Sequence, residues 1–393
     1  MGQYDFSTLI DRRNTNSVKW DPEHLKRLCG NPQAIPFWVA DMDFRSPPEV
    51  LDALHRRIDH GVFGYVSGTE EAVEEFCRWT SLRHGWRPEP EEVCYTPGII
   101  AGLSAAVQVF TEPGDGVVIQ TPAYRPFFSV ITANRREVRE NPLHYENGAF
   151  SIDFPQLEQQ LERQDTSMLI LCSPHNPSGR VWTADELKRI RQMAQAHGVL
   201  VVSDEIHGDM TYPGYTHIPY STIDPGGITC MAPSKTFNIP GEHYSCIVLP
   251  DEQLRKRYAE HLKTAAISQP PLLSFTAAAA AYRSGKAWLD ELLGVLTSHV
   301  DLMESALRSV SPQIRLIRPE ASFIAFLDVR EAEKQLGSGR DFVTFMGKEA
   351  GIALHRGSWF GRSGRGFARI NFGTPQTLLE EGLSKMVRAL EHL

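Results

Sequence analysis

Between residues 92 and 249 the chain repeats one theme: a short apolar run, a polar turn, then a stretch with apolar positions three or four apart. Residues 92–95 lead into Thr96-Pro97-Gly98-Ile99-Ile100 and a helix through Leu103, Ala106, Val107 and Phe110. Residues 117–120 lead into Thr121-Pro122-Ala123-Tyr124, and 168–172 into Ser173-Pro174-His175-Asn176-Pro177-Ser178-Gly179-Arg180. A helix over 184–196 precedes 199–202, which ends in Ser203-Asp204-Glu205-Ile206-His207. Two further apolar runs, 228–232 and 244–249, hold a short polar loop, Ser234-Lys235-Thr236-Phe237-Asn238, between them. Strands this short and continuously apolar are buried on both faces. The pattern therefore predicts an α/β fold with a mostly parallel sheet, and a ligand site beyond the carboxyl ends of its strands.

The flanks read differently. Five prolines, Pro22, Pro32, Pro36, Pro47 and Pro48, break up the first fifty residues, whose one apolar knot is the stretch from Pro36 to Phe44. A helical pattern runs from Pro48 through Val50, Leu51, Leu54 and Ile58, then stops at the glycine-rich stretch from Gly61 to Gly68. An alanine run at 277–281 reads as packed helix, and a long pattern from 288 to about 307 connects to a C-terminal part with strands at 323–329 and 367–372. A last helix passes through Leu379, Leu383, Met386, Val387 and Leu390. The expected organisation is an arm and part of a small domain at 1–49, a large domain at 50–287, and the rest of a smaller α+β domain at 288–393.

Composition narrows the partners. The 393 residues are 41% hydrophobic and 22% charged, ordinary for a globular chain with ample core. A net charge of -8 without basic blocks argues against nucleic acid. No stretch approaches the length of a membrane span, and the start, Met1-Gly2-Gln3-Tyr4-Asp5, lacks the basic and apolar regions of a signal peptide. Six cysteines without a CxxC pair suit a reducing compartment, so a cytoplasmic protein is expected.

The polar turns supply the candidate chemistry. Lys235, between two strands, becomes a nucleophile or base if it is taken out of water, and is a plain turn lysine if it is not. Gly98-Ile99-Ile100 opens a helix directly after a strand; it serves either as a tight turn or as bare backbone N–H groups for a phosphate. Asp204 follows four apolar residues, so it is expected half-buried and in need of a partner, or else acts as a cap. Asn176 between two prolines, Tyr124 and His207 each have a structural reading as well. Taken together, the set asks for an aromatic ring bearing a phosphate, a basic nitrogen and a carbonyl. The lysine forms an imine, the aspartate pairs with the nitrogen, an aromatic residue stacks, and a helix start takes the phosphate. That ligand is pyridoxal 5′-phosphate. A metal hydrolase built from His175, His207, His243, Asp204 and Glu205 lacks HExxH or similar spacing, so no metal is expected.

From about residue 30 onward the chain also resembles the fold-type-I, class I/II aminotransferase superfamily, and within it the cystathionine β-lyase (C–S lyase) branch. The resemblance lies in the Trp38–Phe44 stretch, Gly61-Val62-Phe63-Gly64-Tyr65, Thr121-Pro122-Ala123-Tyr124, Asn176-Pro177-Ser178-Gly179-Arg180-Val181-Trp182, Ser203-Asp204-Glu205-Ile206-His207 and the stretch from Ser234 to Gly241. It implies Lys235 as Schiff-base lysine and proton carrier, Asp204 on the ring nitrogen, Asn176 and His207 beside the ring oxygen, and Tyr124 stacked on the ring. It further implies that Ser234 and the Gly98, Ile99 and Ile100 backbone hold the phosphate, helped by Tyr65 from the other subunit of a homodimer. Arg369 would clamp the substrate carboxylate, assisted by the backbone near Ala40, with Arg362 and Arg365 as competitors.

The activity implied is α,β-elimination of L-cystathionine or a related cysteine S-conjugate. Transamination, or a biosynthetic elimination or replacement reaction, is the alternative on the same scaffold, and a regulatory role without catalysis is also open. Two positions depart from the family pattern. Glu242-His243-Tyr244 follows Gly241 where the lyase branch continues with an aliphatic residue, and His243 stands where related aminotransferases often carry a phosphate-binding arginine.

Overall fold

A computed structural model describes residues 2–393. Seven strands form the main sheet: β1 (Val93–Thr96), β2 (Gly116–Thr121), β3 (Glu137–Pro142), β4 (Thr166–Cys172), β5 (Leu200–Asp204), β6 (Ile228–Met231) and β7 (Ser245–Val248). Their order is β1-β7-β6-β5-β4-β2-β3, parallel throughout except that β7 runs against both its neighbours. β2, β6 and β7 are buried along their whole length. That is why these strands show no polar alternation: helices cover both faces of the sheet.

Helix α1 (Ile99–Phe110) follows β1 directly, with Gly98 at its start in a backbone conformation, φ 93°, that favours glycine. The stretch around Lys235 was expected to be a loop. It is a single helical turn, α2 (Pro233–Thr236), because Pro233 occupies the first helical position and pre-sets its backbone angle. Helix α3 (Lys286–Arg308) leads to a four-stranded antiparallel sheet of β8 (Arg315–Ile317), β9 (Ile324–Asp328), β10 (His355–Arg356) and β11 (Phe367–Asn371), in the order β8-β9-β11-β10.

The first fifty residues are less irregular than their prolines suggest. Residues Pro22–Cys29 form a helix, capped by the Asp21 side chain on His24 N–H and with its proline at the permissive first turn. The chain then crosses to the C-terminal sheet region, pairing Ile35 and Pro36 with Ile352 and Ala353. Phe6 packs on Phe44 and Trp288, with ring centroids 5.2 and 5.4 Å apart, so the extreme N-terminal segment lies against the start of α3. Among the described residues no helix is long and apolar enough to cross a membrane.

Candidate active site

The carboxyl ends of β4 and β5, the start of α1, α2 and Ala40 converge on a cavity of about 410 Å³. Ala40, Gly98, Ile99, Ile100, Tyr124, Asn176, Asp204, His207, Ser234 and Lys235 all line it.

Lys235 sits on α2, and its Nζ donates to the Ala40 carbonyl at 2.6 Å. Burial, assisted by the Arg369 charge and opposed by Asp41 and Asp204, lowers its pKa from 10.5 to about 8. The turn is held from behind, where Thr236 Oγ1 donates to Asp209 Oδ2 at 2.9 Å. Asp209 also meets Trp79 Nε1 and His84 Nε2, each at 2.9 Å. No sequence signal marked Asp209, since its partners Trp79 and His84 lie about 130 positions away along the chain.

The opposite wall is anchored as firmly. Asn238 accepts from Met42 N–H at 2.9 Å and donates to the Met42 and Phe44 carbonyls. Lys19 and Asp43 form a fully buried pair at 2.7 Å, joined by Trp20 Nε1 and Arg12. Burial alone would raise the Asp43 pKa, yet the Lys19 charge, the hydrogen bonds from Lys19 and Trp20 and the Arg12 charge together outweigh it, and the carboxyl is held below its ordinary value. The apolar knot around residue 40 is thus fixed against the body that carries the cavity, with Ala40 in its wall.

Asp204, at the end of β5, is fully buried rather than half-buried. Its Oδ1 accepts from Ile206 N–H at 3.1 Å. Desolvation, reinforced by Glu205, lifts its pKa to about 7 against the pull of Ile206 N–H and Lys235. His207 is buried with Nδ1 2.9 Å from Ser322 Oγ, and desolvation together with the Lys235 and Arg369 charges depresses it to about 3, so it is neutral.

Arg369 reaches the site from β11. It is buried, donates to Asn176 Oδ1 at 3.2 Å and to the Trp38 carbonyl at 2.8 Å, and lies over the Phe360 ring at 4.9 Å. Its Nε has no partner, and burial lowers its pKa to about 10. A buried guanidinium with no carboxylate in reach is an anion site in waiting. Arg362 and Arg365 are exposed instead. Tyr124 is half-buried against Phe127 and Trp359. Tyr65 stands apart, fully exposed with its neighbours Val62 and Phe63.

The residues weighed for a metal are separately engaged: His175 with Ser178 Oγ at 2.8 Å, His207 with Ser322, Glu205 with His217 at 2.7 Å. Among the described residues no cluster of three or more His, Cys, Asp or Glu side chains meets. Cys172 and Ile206 also line the cavity and had no role assigned from the sequence, and Tyr244, noted there only as a departure from the family pattern, lines it as well. Cys172 and Ile206 are apolar residues whose identity carries no chemical signal, and only their position at strand ends could have marked them.

Comparison with known proteins gives a consistent result. The pattern of the family "Aminotransferase class I and II" matches residues 33–386. Cystathionine beta-lyase PatB of Bacillus subtilis is 38% identical over 98% of this chain and 100% of its own length. Protein MalY of Escherichia coli is 33% identical over 98% and 99%. A pyridoxal phosphate-bound C–S lyase of Staphylococcus hominis superposes with a TM-score of 0.92 at 32% identity, over 99% of this chain and 98% of that one.

Proposed function

This chain belongs to the aminotransferase class I and II family, and on that premise we propose that it is a pyridoxal 5′-phosphate-dependent C–S β-lyase. The reaction is α,β-elimination on L-cystathionine or a related cysteine S-conjugate, giving pyruvate, ammonia and a thiol. The observation that carries this reading is the meeting of a desolvated lysine and a buried unpaired carboxyl at one cavity, with a buried arginine behind its wall bonded to Asn176. Full-length relatives named as lyases favour elimination over transamination.

The cavity fits the cofactor. Asp204 is buried with one hydrogen bond and a pKa of about 7, so a cationic donor such as a protonated ring nitrogen would complete its ionisation at neutral pH. Gly98 leaves the start of α1 without a side chain over its first N–H groups, which suits a phosphate, and Ser234 adds a hydroxyl. Tyr124 supplies an aromatic wall, and Asn176 and His207 line the same cavity as Asp204 and Lys235. Bound there, pyridoxal 5′-phosphate supplies the electron sink for the pair left at Cα when its proton is removed.

The chain's own groups do the rest. Arg369 takes the substrate carboxylate through guanidinium nitrogens already desolvated, and the backbone at Ala40 closes the same corner. Lys235, with a pKa of about 8, holds a useful fraction of free amine at neutral pH and accepts the Cα proton at Nζ. The electron pair then expels the Cβ substituent as thiolate.

We also place residues 1–49 with 288–393 as one small domain and 50–287 as the large one, supported by the pairing of Ile35 and Pro36 with Ile352 and Ala353. The exposed Val62, Phe63 and Tyr65 support a homodimer in which this loop is covered by a second copy and Tyr65 reaches the partner's phosphate site. Six free cysteines support a cytoplasmic location. The test is incubation of the purified protein with L-cystathionine, with S-alkyl and S-aryl cysteines, and with alanine plus 2-oxoglutarate, following pyruvate, thiol and new amino acid together. Thiol and pyruvate in equal amounts are expected; a new amino acid without thiol would overturn the lyase reading.

A further inference from the structure

His243 occupies a position that follows from strand register. β7 pairs with β1 with Ser245 opposite Thr96. Two residues further out, His243 falls opposite Gly98. The chain arrives there through the turn Pro240–Glu242, which ends with His243 in the left-handed conformation, φ 48° and ψ 54°. Histidine tolerates that backbone better than most residues. The Tyr95 hydroxyl donates to the His243 carbonyl at 3.3 Å and steadies the turn. A Cβ built on Gly98 would lie 3.9 Å from His243 Nδ1, so the imidazole stands over the start of α1 and lines the cavity.

Among the residues lining the cavity, three side chains can be cationic: Lys235, His207 and His243. Lys235 Nζ is bound to Ala40, and His207 is bound to Ser322. The first turn of α1, Ile99-Ile100-Ala101, has no charge. His243 is the cation left for a phosphate at that helix start.

We infer that His243, as imidazolium, is the counter-charge of the cofactor phosphate in this chain. The inference rests on the reading of the cavity as a pyridoxal phosphate site. The titratable and charged groups around the turn are Tyr95 and Tyr244, Glu242 beside it, and Lys235 and Asp204 across the cavity, while the helix Leu272–Ser284 packed against it carries Tyr282 and Arg283. Arg283 is already paired with Glu71 and Glu75. Only the imidazolium form carries the charge; a neutral imidazole offers a single N–H donor.

The experiment measures binding and not turnover. Cofactor-free wild type, His243→Asn and His243→Arg are titrated with pyridoxal 5′-phosphate and, in parallel, with pyridoxal, following the cofactor absorbance. Asparagine also tolerates the left-handed backbone, so His243→Asn keeps the turn. It is expected to weaken pyridoxal 5′-phosphate binding about tenfold at about pH 6, with little effect at about pH 9 and little on pyridoxal at either pH. His243→Arg should match wild type near pH 6 and bind more tightly than wild type near pH 9. Unchanged phosphate-ester affinity in His243→Asn near pH 6, or an equal loss for pyridoxal, would overturn the role of His243 alone. Failure of the wild type to bind pyridoxal 5′-phosphate at all would overturn the cavity reading and this inference with it.

Discussion

Replacing Lys235 by methionine is expected to stabilise the cofactor-free protein at neutral pH and to lose that advantage in alkali. Burial holds the Lys235 amine at about pKa 8 against 10.5 for an ordinary lysine. Between those values the unfolded chain binds a proton that the folded chain does not, so wild-type stability rises with pH across that window. Below pH 8 the folded state carries the full cost of the buried charge, about 3 kcal/mol for a depression of this size. Methionine fills similar volume without a charge but forfeits the hydrogen bond to the Ala40 carbonyl, which offsets about 1 kcal/mol. The net gain is about 2 kcal/mol at pH 7. Near pH 10 most of the charge cost has gone, and the variant should be level with wild type or slightly less stable. The assay is urea denaturation of both cofactor-free proteins at the two pH values, followed by tryptophan fluorescence. The shift in the stability difference, about 2.5 kcal/mol, is the quantity of interest. A difference independent of pH would refute the argument that Lys235 is desolvated, whatever its sign.

Other perturbations probe the remaining groups. Asp204→Asn should still bind pyridoxal 5′-phosphate yet slow turnover at saturating cofactor by about 100-fold or more, since it removes the carboxylate proposed to keep the ring nitrogen protonated; unchanged turnover would contradict its role. Arg369→Ala should raise KM for a cysteine S-conjugate by about 100-fold while a decarboxylated analogue is affected far less; equal effects on both would remove the carboxylate contact. Lys19→Met removes one of the three partners of a fully buried Asp43, leaving Arg12 and Trp20 on its other oxygen, and should cost about 2–3 kcal/mol in a denaturation experiment. Mixing inactive Tyr65→Ala with inactive Lys235→Ala subunits should restore activity, at most about half of one dimer's in each hybrid, because one site regains both residues. No recovery despite demonstrated subunit exchange, or an active monomer by size measurement, would rule out shared sites.

Chain order alone determined the parts of this protein that depend on near neighbours. Continuous apolar runs such as 168–172 and 228–232 declare doubly buried strands, because a strand covered on both faces has no polar alternation to show. Polar residues at the ends of those runs, Asn176, Asp204 and Lys235, fall at strand ends and hence beside one cavity, as parallel topology requires. What tertiary structure alone decided involves partners far apart in sequence. The Ala40 carbonyl on Lys235, the Trp38 carbonyl on Arg369, and Asp209 behind Thr236 join residues that no local pattern relates. The helix at Pro22–Cys29 was hidden by its proline, which a first turn tolerates and an interior does not. The antiparallel setting of β7 could not be read from its apolar run, which looks the same in either direction, yet that setting is what brings His243 opposite Gly98. Burial is likewise a property of the assembled fold: Asp204 and Lys235 take their shifted pKa values from the atoms packed around them, and those atoms come from every part of the chain.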